Sequence, residues 1–421
     1  MSLADGTFTD TFTDTFTDSL KDEGKLQESI ALYKQSIAQN PNSPSAYHNL
    51  GKALQQNGQI AEAVACHQKA ILLQPNFTAA YFPLLYAPLP KDSPLIDSLV
   101  ALYREVIEIL PNFPLAYINL AVALSKQGKI QESIALFQTA VRLQTVASRP
   151  QLSQVEWNWA SSREAQLSPR ESADFIIIGS PRCGTTSLYK YITSHPQILA
   201  AAHKEICFFS EHFNKGIDWY RSHFPPPIEA HHFLTGEATP TYLTHPLAAE
   251  RLHGCLPQVK LIVILRNPVD RAFSHYQMLV RRGTEHRSFE KAINSELQLL
   301  AGATETCLED RNNWKDCHYI YKSLYACSLK QWMKLFHREQ FLILQSEEFY
   351  ANPAATLKQV FEFLDLPDFP LGNYQKYNGG DYQPVDDAVS QRLREYFQPH
   401  NRKLDEYLNS VGAGFTHHTW L

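Results

Sequence analysis

Two rhythms of apolar and polar residues divide this chain. A segment that opens at Gly24 as GKLQESIALYKQSIAQNPN returns at Gly58, 34 residues later, as GQIAEAVACHQKAILLQPN, and again at Gly128 as GKIQESIALFQTAVRLQ. Tyr47, Tyr81 and Tyr117 open successive units and Pro41, Pro75 and Pro111 close them. Self-similarity at this period predicts stacked helix pairs. From Asp174 the texture changes to short apolar runs. Asp174–Ile178, Lys260–Leu265 and Phe341–Gln345 read as strands, and the stretches Leu188–Thr193, from Pro268, around Tyr319–Phe336 and Pro353–Leu364 read as helices. Alternating strands and helices predict a mainly parallel α/β sheet.

The repeat period and its signature residues resemble the tetratricopeptide repeat. The second unit keeps Tyr47, Leu50, Gly51, Ala63, Ala70 and Pro75, and the fourth keeps Tyr117, Leu120, Phe137 and Ala140. The third is degenerate, because Pro83, Pro88 and Pro90 interrupt its first helix and two residues are inserted. Small residues at Gly51 and Ala63 let paired helices approach, while large ones fill the seams. Such arrays present a concave face to a protein partner, or else prop up the domain behind them. The chain divides as a low-complexity tail or degenerate repeat helix (1–19), a repeat array (20–144), a linker (145–173) with Trp157 and Trp159, and an α/β domain (174–421). The tail holds three copies of TFTD over Thr7–Asp18, whose Phe8, Phe12 and Phe16 suit one helix face although Thr disfavours the helix.

Composition excludes more than it identifies. With 38 Lys+Arg against 43 Asp+Glu the net charge is −5, which excludes a surface wholly devoted to nucleic acid or an anionic membrane. The longest uncharged run, Ala70–Pro90, carries four prolines and is no membrane span. The N-terminus lacks a signal-peptide pattern, and seven cysteines form no framework spacing, so a reduced cytoplasmic protein is expected. Cys307 and Cys317 could bridge in an oxidising setting; thiols are expected. No metal is expected: no cysteine pair has zinc-ribbon spacing, and the adjacent histidines His231-His232 and His417-His418 would point to opposite faces of a strand.

The candidate chemistry sits where the runs end. After the first run comes Gly179-Ser-Pro-Arg-Cys-Gly-Thr-Thr-Ser187, then an amphipathic stretch. Strand, glycine-bearing loop and helix N-terminus form a cradle whose backbone N–H groups point at a phosphate. The glycine spacing is that of the ATP/GTP-binding loop, but Thr185 stands where that loop has its lysine, which disfavours a kinase or NTPase of related fold. The run Lys260–Leu265 ends in Arg266, and a helix from Pro268 brings Arg271 and Ser274 round near it. One arginine and one hydroxyl suit a terminal phosphate. Two separate anion sites are therefore expected at the carboxyl ends of two strands.

These motifs resemble the sulfotransferases that use 3′-phosphoadenosine 5′-phosphosulfate (PAPS), particularly the subgroup that includes the heparan sulfate enzymes. Lys204-Glu205-Ile-Cys-Phe-Phe209, Gly216–Tyr220, Gly236–Tyr242 and Pro399-His-Asn401 follow in family order. The resemblance implies a three-layer, P-loop-like domain with PAPS as donor and 3′-phosphoadenosine 5′-phosphate (PAP) as product. It implies that Arg182, Cys183, Gly184, Thr185, Thr186 and Ser187 hold the 5′-phosphosulfate and that Arg266 and Ser274 hold the 3′-phosphate. Glu205 would be the general base and Lys204 would steady the sulfonate, with Glu237 a rival carboxylate better suited to buried support. The Lys204–Glu205 pair has a second reading as a solvated surface pair, and Arg271 as a structural arginine paired with an acid. Trp219 and Tyr220 are expected in the core, and Cys183 and Cys207 as small fillers. The acceptor, a glycan, lipid or polyketide, or small molecule, would offer a hydroxyl or amine. Cys207, Ser210, Ala238 and the segment Asn378-Gly-Gly-Asp-Tyr382 depart from the heparan-type pattern, which weakens a heparan acceptor. The remaining alternative is a repeat scaffold with an inactive nucleotide-binding domain.

Overall fold

A computed structural model describes residues 23–153, 173–228, 233–300, 317–375, 377, 384–412 and 420. The TFTD tract, Trp157, Trp159, both histidine pairs, Cys307 and 378–382 lie outside the described residues. The repeats are the helices α1 (Glu23–Gln39), α2 (Pro44–Gln56), α3 (Ile60–Leu73), α4 (Tyr81–Leu85), α5 (Pro94–Ile109), α6 (Pro114–Lys126) and α7 (Ile130–Ser148). Proline at the first turn starts α2, α5 and α6, where its missing N–H has no intrahelical acceptor to lose. In the third repeat the expected break is present at Pro88 and Pro90, whereas Pro83 sits inside the short α4. That helix stops at Leu85, and Pro88 and Pro90 carry an irregular stretch to α5.

The second region is built on five strands: β1 (Phe175–Gly179), β2 (Ile198–Ala200), β3 (Leu234–Ala238), β4 (Lys260–Leu265) and β5 (Phe341–Gln345). Their order is β2-β3-β1-β4-β5, and every described pairing is parallel. Ile176 stands opposite Glu237 on one side and Leu261 on the other. Because side chains alternate along a strand, Phe175, Ile177, Ile262 and Ile264 pack on one face with Leu188 and Ile192 of α8 (Thr185–Ile192). The opposite face gathers Ile176, Ile178, Leu261, Val263 and Leu265. On it lie Leu329 and Trp332 of α11 (Tyr325–Met333) and Leu404 and Leu408 of α13 (Asp387–Ser410). Between these come α9 (Pro268–Arg281), α10 (Phe289–Leu300) and α12 (Pro353–Phe363). Each fully buried aliphatic or aromatic side chain contributes about 1.5–3 kcal/mol of hydrophobic stabilisation, so this continuous double-sided core fixes the strand ends rigidly.

That second-face core does not stop at the sheet. Leu85, Ile118, Ala121, Phe137, Ala140 and Val141 of the repeats belong to the same apolar cluster as β1 and β4. The Trp219 indole N–H donates to the Ser133 hydroxyl (3.2 Å), and Lys215 Nζ donates to the Ser125 hydroxyl (2.8 Å). The array is thus packed into the α/β region rather than strung beside it. Among the described residues, no helix is long and apolar enough to cross a membrane.

Candidate active site

The carboxyl ends of β1, β3 and β4 open into one cleft of about 360 Å³. Arg182, Gly184, Thr185 and Thr186 line it from the loop after β1, Arg266 and Ser274 from β4 and α9, and Glu205 from the opposite wall. The loop after β1 and the Arg266–Ser274 pair, expected to hold the two ends of one donor, are in contact. Arg182 Nε donates to the Ser274 hydroxyl (3.1 Å), and Arg266 Nη1 donates to the Arg182 carbonyl (3.4 Å). The reason is the sheet order, since β1 and β4 are direct neighbours and their loops leave the same edge.

Three of the expected site residues do not line the cleft. Cys183 is fully buried beneath the loop with its N–H on the Ser180 carbonyl (3.3 Å), so it shapes the turn. Ser187 is also buried and accepts the Tyr377 N–H (3.0 Å). Lys204 donates to Glu205 Oε1 at 2.7 Å. Gly184 caps α8 with φ 101, and a Cβ there would meet the Tyr350 hydroxyl at 2.9 Å, so the position requires glycine on both counts. The first-turn N–H groups of α8 lack intrahelical acceptors and face the cleft end of the loop.

Glu205 lines the cleft and is at the same time open to solvent. Its side chain is 44% exposed and ion-paired. Burial pushes its carboxyl up, but the Lys204 ammonium, the hydrogen bond from it, and the Arg282 and Arg182 charges outweigh burial and hold it below the usual range. It is therefore ionised and able to accept a proton at neutral pH. Glu237 behaves oppositely. It is fully buried on β3, accepts hydrogen bonds from the Tyr220, Tyr242 and Thr239 hydroxyls, and burial raises it to about 7. Trp219 and Tyr220 lie in the core, as expected.

The folded Glu237 value lies above the ordinary 4.5 of a free carboxyl. Between these values the native state keeps a proton that the unfolded chain has released, so stability falls as pH rises toward 7. Glu237→Gln should therefore flatten the pH dependence of the unfolding free energy between pH 5 and 8 by about 3 kcal/mol. Urea melts of both proteins across that range check it; equal slopes would refute it.

Arg271 is structural: its hydrogen bonds go to a hydroxyl and carbonyls, and the Glu296 carboxylate acts on it through charge rather than a direct hydrogen bond. It is fully buried and donates to the Ser323 hydroxyl and the His318 and Tyr319 carbonyls, while Glu296 accepts the N–H groups of Tyr319, Ile320 and Tyr321. Together they pin the 318–323 loop, which delivers a cation that the sequence reading missed. Lys322 lines the cleft, 7% exposed, and is pushed down to about 8 by burial and by the Arg271 charge. A lone lysine in the aromatic run His318-Tyr-Ile-Tyr-Lys-Ser-Leu-Tyr325 was the available signal. Met278 and Arg282 were missed too, and they follow Ser274 at four-residue steps on one face of α9 and its cap.

A parallel sheet with a cleft at the carboxyl ends of its central strands defines an open α/β domain. Residues 172–377 match the family model of the sulfotransferase domain, and 18–58, 44–77 and 102–135 match models of the tetratricopeptide repeat. The chain carries a sulfotransferase domain behind tetratricopeptide repeats. It is 28% identical over 310 residues to the membrane-associated sulfotransferase kil1 of Dictyostelium discoideum, covering 56% of this chain and 65% of that protein. It is 27% identical over 286 residues to the human bifunctional heparan sulfate N-deacetylase/N-sulfotransferase 2, covering 60% of this chain and 31% of that protein. The chain thus spans less than two thirds of either relative. A solved sulfotransferase from Alicyclobacillus acidocaldarius aligns with TM-score 0.44 and 26% identity, over 58% of this chain and 97% of that one.

Proposed function

We propose that the protein transfers the sulfonate of PAPS to an acceptor hydroxyl or amine. The observation that carries this reading is the single cleft in which the Arg182 loop, the Arg266–Ser274 pair and Glu205 meet. Its donors suit a ligand with two anionic ends: the loop and α8 for the phosphosulfate, Arg266, Ser274 and Lys322 for a second phosphate. Thr185 at the lysine position supports this over ATP chemistry.

In this reading Glu205 takes the proton of the acceptor O–H or N–H as its oxygen or nitrogen attacks sulfur. The bond from sulfur to the bridging oxygen breaks, and its electron pair stays on the departing 5′-phosphate. Arg182 and the loop N–H groups stabilise the charge growing there. Lys204, which does not itself line the cleft, acts through its pairing with Glu205 and holds the base ionised. Positioning and charge stabilisation supply the rest.

The test is transfer of labelled sulfonate from PAPS to a panel comprising a glycan, a phenol, a long-chain alcohol and an amine. Label in any acceptor supports the reading. ATP turnover without PAPS turnover would replace it with a kinase, and no affinity for PAP would leave a repeat scaffold.

A further inference from the structure

The strap from His203 to Cys207 carries Glu205, and its backbone is held from two sides. Toward the sheet, the Glu205 N–H donates to the Ala238 carbonyl (3.0 Å) and the Cys207 N–H to the Thr239 hydroxyl (3.3 Å). From the other side the Tyr86 hydroxyl donates to the Lys204 carbonyl at 3.0 Å. Tyr86 belongs to the repeat array, 118 residues earlier in the chain. Tyr86 is 52% exposed and lies within electrostatic reach of Glu205 and Arg282, both of which line the cleft.

The strap needs such a hold. Glu205 (φ 62) and Cys207 (φ 55) are both non-glycine residues in the left-handed region. That backbone costs about 1–3 kcal/mol per residue and persists only where surrounding contacts over-determine it.

The third repeat's irregularity supplies the contact. In α2 the helix runs to Gln56, whereas α4 ends at Leu85 and Tyr86 follows as its cap. A second close approach joins the repeats to a cleft-lining element. Gly283 follows Arg282 in the turn after α9, with φ 68, and a Cβ there would lie 2.3 Å from the Gln56 carbonyl oxygen.

We propose that the repeat array is a working part of this site, with Tyr86 a positioning residue that fixes Glu205 through the Lys204 carbonyl. The proposal rests on Glu205 being the base. Tyr86→Phe keeps the ring and removes the hydroxyl. In the full chain it should lower PAPS turnover, read as PAP release, by about 5–10-fold, the scale of one hydrogen bond. PAP affinity should stay unchanged. A loosened strap relaxes the Lys204–Glu205 pair that holds the carboxyl low, so the acid limb of kcat should move to higher pH. In a Glu205→Gln background the same change should have no further effect. Phe82→Ala, an exposed neighbour on α4, should leave all of these values at wild type and serves as the folding control.

Wild-type turnover and pH profile in Tyr86→Phe, with Glu205→Gln impaired, would overturn the positioning role and leave the base assignment standing. Wild-type turnover in Glu205→Gln would overturn the base assignment itself, and with it what Tyr86 is said to position. A Tyr86→Phe loss that persists at full size in the Glu205→Gln background would also overturn the proposal, because the effect would not pass through Glu205.

Discussion

Glu205→Gln is expected to lower PAPS turnover by about 10²–10⁴-fold, the usual contribution of a positioned general base. PAP binding should change little. The glutamine fills the same space and keeps an oxygen for Lys204, but it cannot take the acceptor's proton. Because Glu205 sits below the ordinary carboxylate range, wild-type kcat should stay flat as pH falls through neutrality and drop only in acid below about 4.5. Stopped-flow or discontinuous PAP-release assays with calorimetric PAP titrations separate the two quantities. Collapsed PAP affinity with normal turnover per bound donor would remove Glu205 from the chemistry and make it a binding residue.

The second large effect belongs to the far end of the donor. Arg266→Ala should weaken PAP binding by about 10–100-fold, the equivalent of losing a charge-assisted hydrogen bond of about 1.5–3 kcal/mol. Ser274→Ala should weaken it less. Its hydroxyl also accepts from Arg182, so that variant releases a cation as well as removing a phosphate contact. The two losses should combine non-additively in the double variant, because Arg182 connects both positions. Titration calorimetry of the three proteins decides it. Equal PAP affinity in wild type and Arg266→Ala would eliminate the 3′-phosphate pocket.

Local features were the most legible in the sequence. The strands at 174–178, 260–265 and 341–345 were visible because buried parallel strands read as near-continuous apolar runs. The structure places them at 175–179, 260–265 and 341–345. The broken third repeat was equally plain, since Pro88 and Pro90 leave no room for α4 to continue. Pairwise facts across the sheet were not legible. The direct hydrogen bonds that tie Arg182 to Ser274 and Arg266 depend on β1 lying beside β4, and strand order leaves no mark on either segment. Arg271 shows the same limit, because carbonyl acceptors from 318 and 319 have no sequence signature. Lys322 was hidden because its value to the cleft comes from a loop held in place by Glu296 and Arg271. The contact from Tyr86 to Lys204 spans the whole distance from the array to the strap, and no local pattern announces it.

One consequence follows from the apolar cluster that runs from the helix pairs into the sheet. A fragment begun at residue 173 would strip Phe137, Ile118 and Leu85 from the neighbours they cover and leave a hydrophobic wound on the catalytic half. The whole chain should then melt in one calorimetric transition rather than two, and the truncated piece should aggregate on expression. Two well-separated transitions would mean that the halves are lodgers sharing a wall. A single one would mean that this modular-looking sequence encodes a molecule that cannot be taken apart.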